Sequence, residues 1–258
     1  MTDVEISVSV FDSGTATVSW QGAVGPDSLL RAISTAAEDA LQNRGLRRLE
    51  ISVPAEDLAA RRAVLRAGFR LEGVRREGLE LPDGSYADVC LFSRLASDQV
   101  SGSEGFSGVM NSALPKKRLI AHVLMRDAGG RVLLCETQFK KDWELPGGIV
   151  EPMEPPRLGA AREVREELGI DLTVGRLLVV DWMPPYLGWD DAIEMIFDGG
   201  TVDENDLIGR CSRRRSRRSP WSTWLRQVSL TPLAFRRLSL AVALGPDEMA
   251  YTEEGRIP

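Results

Sequence analysis

Hydrophobic and polar residues alternate along Ile6–Phe11 and again along Ala16–Trp20, with Asp12, Ser13 and Gly14 between them. This pattern predicts a β-hairpin. The period then changes. Pro26-Asp27-Ser28 marks a helix start, and Leu29, Ile33, Ala36, Ala37, Ala40 and Leu41 follow at helical spacing until Gly45. Leu46–Val53 predicts a strand and Leu58–Ala67 a short helix ended by Gly68. Phe69–Leu81 and Tyr86–Leu95 predict two strands around Pro82-Asp83-Gly84. The order ββαβαββ is an α/β or α+β pattern.

Between Ala96 and Ala113 the apolar period is lost and Ser and Gly dominate, which predicts a flexible linker. Three segments result: residues 1–95, a linker at 96–116, and residues 117–258. The last segment opens with a strand, Arg118–Met125, a turn at Asp127–Gly130 and a second strand, Arg131–Thr137. A loop, Trp143–Gly148, leads to a helix over Pro156–Leu168, with Pro155 and Pro156 at its start and Gly169 just past its end. Leu172–Val180 and Ala192–Phe197 predict strands, and Pro232–Leu244 a final helix.

Composition narrows the function. Of 258 residues 43% are hydrophobic and 27% charged, which excludes disorder throughout and rod-like folds. The net charge of −6 gives no general reason to bind nucleic acid or an anionic membrane, so neither is expected as a partner. No apolar run approaches the ~18–20 residues a membrane helix needs. The acids of the N-terminal segment do not suit a secretion signal. Cys90, Cys135 and Cys211 are widely spaced and odd in number, which suits a reducing, cytoplasmic setting. The single histidine, His122, lies in a strand-like run and reads as a packed or edge-facing strand residue. Chemistry without histidine points to carboxylates and metal.

The carboxylates are there. Glu163, Glu166 and Glu167 stand at i, i+3 and i+4, a spacing that places them on one helical face. Such acids repel one another, and many Glu-rich helices are merely solvated. Here, however, Leu158, Ala161, Val164 and Leu168 form an apolar opposite face, and a Gly-Gly loop flanks the acids and permits close backbone approach. Clustered oxygen ligands beside an open loop suit a hard divalent cation.

Gly148, Glu154, Arg162, Glu163, Val164, Glu166, Glu167, Gly169 and Ile170 fill every fixed position of G-x5-E-x7-R-E-U-x-E-E-x-G-U, where U is a bulky aliphatic residue. The segment resembles the Nudix box, and WELPGG resembles the family's lead-in to it. The resemblance implies an α/β/α sandwich with a mixed sheet. It also implies hydrolysis of a nucleoside diphosphate linked to another group, a small-molecule nucleotide substrate cut within its pyrophosphate. It further implies magnesium, with manganese as the alternative, held by Glu163, Glu166 and Glu167 and by the carbonyl of Gly147 or Gly148. Arg162 and Glu154 would form a salt bridge orienting helix and loop. The general base would come from the box or a later segment, with Glu194 and Glu204 as candidates outside it. Trp143 reads as packing beneath the loop. The aromatic, proline-rich run Trp182–Trp189 reads equally as a nucleotide-stacking loop or a structural turn.

Ala67–Gly78 and Asp83–Asp88 resemble the C-terminal half of GNAT acetyltransferases. That implies a smaller α/β module. Val24 and Pro26 depart from the glycines expected of an acyl-CoA loop, and Pro26 has no amide hydrogen to give. Asp57 and Ala60 depart from the family's usual Asn and Ser. A truncated, non-catalytic module is therefore expected, serving oligomerisation (a homodimer would fit), stability or ligand sensing. Arg210–Arg218 holds six arginines in nine residues and reads as a solvated loop, a phosphate patch or a disturbed reading frame. The expected protein is a magnesium-dependent pyrophosphohydrolase. A nucleotide sensor carrying a CoA-sensing remnant is the alternative, and the intact acidic box favours the enzyme.

Overall fold

The computed structural model describes residues 4–22, 25–136, 143–203, 221–222 and 230–258. Its chain divides into two compact units, Met1–Pro115 and Lys116–Pro258. The first holds strands β1 (Glu5–Asp12), β2 (Thr15–Gln21), β3 (Arg48–Pro54), β4 (Arg70–Glu80) and β5 (Tyr86–Leu95), and helices α1 (Pro26–Glu38), α2 (Leu58–Arg66) and α3 (Gly102–Ala113). The sheet order is β1-β2-β3-β5-β4, antiparallel except where β2 runs beside β3. Alternation along the strands turns Ala16, Val18, Leu49, Ile51, Val53 and Phe92 to one face. There they meet Leu29, Ile33 and Ala37 of α1 and Val64 of α2. Ser7, Ser9 and Ser19 alternate to the opposite face and are exposed.

The expected flexible linker is not simply coil, because α3 lies within it. Ser112 Oγ accepts the Leu71 N–H at 3.0 Å and donates to the Val109 carbonyl, while Arg70 pairs with Asp98. The glycines that suggested flexibility serve close packing. A Cβ on Gly105 would fall 2.6 Å from the Val100 backbone, and one on Gly108 would fall 2.7 Å from the Arg70 guanidinium.

The second unit is built on a mixed sheet. Its strands are β6 (Arg118–Arg126), β7 (Val132–Leu133), β10 (Gly147–Ile149), β11 (Leu177–Met183), β12 (Ala192–Thr201), β13 (Trp221–Ser222) and β14 (Ala250–Glu253). Two short strands, β8 (Cys135–Glu136) and β9 (Trp143–Glu144), pair with each other. The order is β13-β7-β6-β12-β11-β14, with β10 pairing antiparallel to β6. Helix α4 (Pro156–Leu168) covers one face, where Ala160, Val164 and Leu168 meet Ala121, Val123, Met125 and Phe197. Helix α5 (Pro232–Ala243) covers the other, where Leu238 and Ala241 meet Leu124, Leu178 and Ile196. This is an α/β/α arrangement.

Two local expectations change. Leu172–Val174 precedes the strand, which begins at Leu177. Its apolar residues pack beside α4, and the Gly175 N–H donates to the Asp198 carbonyl, so burial there mimics strand alternation. Leu158 is not on the buried face of α4 but 61% exposed; Gly159 and Ala160 dock in its place.

Candidate functional site

Helix α4 starts from Pro155 at the N-cap and Pro156 at the first helical position, where a missing amide hydrogen costs nothing. It ends at Gly169, whose φ of 71° is left-handed. With Val164 and Leu168 held in the core, Arg162, Glu163, Glu166 and Glu167 fall on the outward side. Arg162 gathers the site. Its Nε and Nη2 donate to the two carboxylate oxygens of Glu154 at 2.9 and 3.0 Å. Nη1 donates to Glu163 at 2.9 Å and reaches Glu166 at 3.5 Å, and Nη2 also donates to the Ile149 carbonyl. The pair of hydrogen bonds from Arg162, with the one from the Glu151 N–H, lowers the Glu154 pKa to about 2. The same carboxylates hold the Arg162 guanidinium more firmly protonated.

The other acids meet the glycine loop. Glu167 Oε2 accepts the Gly147 N–H at 3.1 Å. The Glu163 carboxylate lies over Gly148, where a Cβ would fall 2.8 Å from it. Gly147 has φ 137°, and a Cβ there would fall 2.2 Å from the Ala121 carbonyl. Only glycine admits this approach. Glu166 is 59% exposed at its side chain. Two acids are thus drawn to one loop and a third stands one turn away. Among the described residues no three carboxylate, imidazole or thiolate groups form a ready-made metal cage. The donors are nevertheless all oxygens on one helix face, the chemistry a hard divalent cation takes.

Glu194 lies elsewhere. Met195 and Phe197 of β12 face α4, so Glu194 and Ile196 face α5. Glu194 is buried between an imidazole and a guanidinium: Oε1 lies 2.9 Å from His122 Nδ1 and Oε2 lies 2.9 Å from Arg237. Arg237 also donates to Asp181 at 3.2 Å, and Asp181 accepts from Thr252 Oγ1 and the Gly255 N–H. Burial disfavours a charged His122, but the Glu194 charge and hydrogen bond outweigh it and raise the imidazole pKa. Glu194, a candidate base, thus sits in this network on the α5 side of the sheet, while the box acids stand on α4. Glu204 and Arg210–Arg218 lie outside the described residues. His122 is the packed strand residue expected. Arg237 and Asp181 were missed, although a lone arginine and a lone aspartate on apolar faces were a signal for a buried pair.

Trp143 packs against the α5-side core. The run after β11 forms a tight turn, bridged between Tyr186 and Trp189, with Leu187 and Gly188 at positive φ. Trp182 Nε1 donates to Asp191, and the Arg118 guanidinium lies 4.7 Å from the centre of the Trp189 ring. Among the described residues no helix is long and apolar enough to cross a membrane.

The chain is similar in sequence to known proteins. The NUDIX domain family model matches residues 116–222. The CTP pyrophosphohydrolase of Escherichia coli (strain K12) is 44% identical over 61 residues, which cover 22% of this chain and 44% of that protein. The chain spans less than half the length of the curated relatives it matches. A MutT protein from Methanosarcina mazei Go1 is 26% identical with a TM-score of 0.33, covering 48% of this chain and 83% of its own. A ribosomal-protein-S5-alanine acetyltransferase from Vibrio fischeri is 19% identical with a TM-score of 0.33, covering 37% of this chain and 54% of its own. With every signature position filled, residues 116–222 of this chain match the NUDIX domain family model.

Proposed function

We propose that this chain is a divalent-metal-dependent hydrolase that cuts a phosphoric anhydride bond in a nucleoside diphosphate derivative. The observation that carries it is the convergence of Glu163 and Glu167 on Gly147-Gly148 under the control of Arg162. Glu163, Glu166 and Glu167, with the Gly147 or Gly148 carbonyl, would hold magnesium, or manganese in its place. A bound ion of this kind lowers the pKa of water and neutralises charge on phosphate oxygens. The protein's own part is orientation. Arg162 neutralises some of the acid repulsion and fixes the Glu163 carboxylate, while Glu154 fixes Arg162. With Glu194 held on the other face, the proton acceptor is sought among Glu163, Glu166 and Glu167.

A screen of nucleoside triphosphates, ADP-ribose and dinucleotide polyphosphates with magnesium, following released phosphate or pyrophosphate, tests this. Turnover abolished by chelation is expected. Absence of turnover across the panel, in a protein that still binds nucleotide, favours the sensor alternative. Residues 1–95 are proposed as a module without acetyl transfer and with only weak acetyl-CoA binding. The α1 N-terminus offers Gly25 as a cap and Pro26 at its first position, which leaves one amide fewer for a pyrophosphate. Micromolar acetyl-CoA binding by calorimetry would refute it.

A further inference from the structure

The network of Asp181, Arg237, Glu194 and His122 runs through the α5 side of the sheet and stops at the glycine loop. His122 pairs with Gly147 in the β6–β10 register. Its ring edge, Cδ2, stands 2.8 Å from where a side chain on Gly147 would begin. On the far side of that strand the Gly147 N–H holds Glu167. Gly147 therefore lies between the two: its N–H is bonded to the box acid, and the imidazole edge leaves no room for a side chain in its place.

Each link is oriented by the next. Glu194 Oε1 engages His122 and fixes the ring plane; Oε2 engages Arg237 and fixes the carboxylate. Arg237 is in turn held by Asp181, which is fully buried and anchored by Thr252 and Gly255. Three charged side chains and an imidazole at such depth are a costly way to hold a core that apolar residues would fill as well. His122, Glu194 and Arg237 border a pocket of about 20 Å³ that is also lined by Glu144 and Leu145, which precede Pro146-Gly147 in the chain. Burying charge at this point fixes the loop in a way that interchangeable apolar packing would not.

We propose that His122 is a positioning residue for the box, held in place by Glu194 and Arg237, and that it sets the placement of Gly147 and through it the Glu167 carboxylate. This rests on the metal-site reading above, and it predicts effects in the metal-free protein as well. The variants are His122→Ala and Glu194→Gln, in the full chain. A control is Val132→Ala, which opens the same core at a residue that does not line the network's pocket.

Amide exchange without metal reads the loop. In both network variants the Gly147 amide is expected to exchange on the order of tenfold faster relative to β11 amides, and in the control it is not. Melting followed across a magnesium titration reads the site. The magnesium needed for half-maximal stabilisation is expected to rise about tenfold in the network variants and to stay at the wild-type value in the control. Network variants that only melt lower, with Gly147 exchange and magnesium response like the control's, overturn the proposal alone. A wild-type protein indifferent to magnesium overturns the metal reading and the proposal with it.

Discussion

Arg162 clasps Glu154 through two parallel hydrogen bonds, Nε to Oε1 at 2.9 Å and Nη2 to Oε2 at 3.0 Å. The two residues are eight apart, one in α4 and the other in the loop before it. A planar fork facing a planar carboxylate fixes orientation as well as distance. The clasp therefore ties the loop 149–154 to the helix that presents the acids. It also stations a cation beside Glu163, which tempers the repulsion among three neighbouring carboxylates.

Arg162→Lys keeps the charge and loses the fork. Lysine cannot reach both Glu154 oxygens, Glu163 and the Ile149 carbonyl from one geometry. Urea unfolding is expected to show a loss of about 1.5–3 kcal/mol, the range for hydrogen bonds to charged groups. A loss under about 0.5 kcal/mol, the range of ordinary surface substitutions, would show that the clasp is not structural.

The Glu154 pKa of about 2 makes the clasp sensitive to acid. Because the folded value lies below the ordinary 4.5, the stabilisation is complete above that ordinary value and is lost as pH falls towards about 2. Glu154→Gln removes this dependence. The stability gap between wild type and variant should be widest at neutral pH, narrow below pH about 4.5, and close near pH 2. Parallel acid-denaturation curves would contradict this.

Glu166 carries the plainest test of the metal assignment. Its side chain is 59% exposed, so Glu166→Gln leaves packing alone and removes one of three like charges. Without magnesium the variant should melt at the wild-type temperature or slightly above. With magnesium, turnover should fall at least about a hundredfold, roughly 2.7 kcal/mol of transition-state stabilisation. Wild-type turnover in this variant would remove Glu166 from the site.

The sequence made α4 legible because three independent signals agreed there: paired prolines at the start, Gly169 at the end, and an apolar period between. The clasp was legible from the motif alone. The role of Glu194 was not, because strand alternation shows that a residue faces one side without showing which side holds the acids. Leu172–Val174 misled for a related reason: residues packing beside α4 in an irregular segment alternate as a strand would. Leu158 has the size of a buried-stripe residue, but its angle around the helix turns it to solvent.

The last expectation concerns α3, where a glycine- and serine-rich composition concealed a helix. If residues 102–113 were only a tether, a fragment ending at residue 95 would be as stable as one ending at 115. The structure says otherwise. Removing α3 frees the Leu71 N–H from Ser112 and exposes the Gly105 contact with Val100; ending at 95 also strips Asp98 from Arg70 and from the Leu95 N–H. The neutral bond to Ser112 contributes about 0.5–1.5 kcal/mol, the bond to the Asp98 carboxylate about as much or more, and the part-exposed ion pair less. At roughly 4–8 °C per kcal/mol for a unit this small, the fragment 1–95 should melt about 5–15 °C below 1–115. Ser112→Ala within 1–115 should reproduce part of that difference, because it leaves the helix in place and removes one bond. Equal melting of the two fragments would return the segment to the status of a tether.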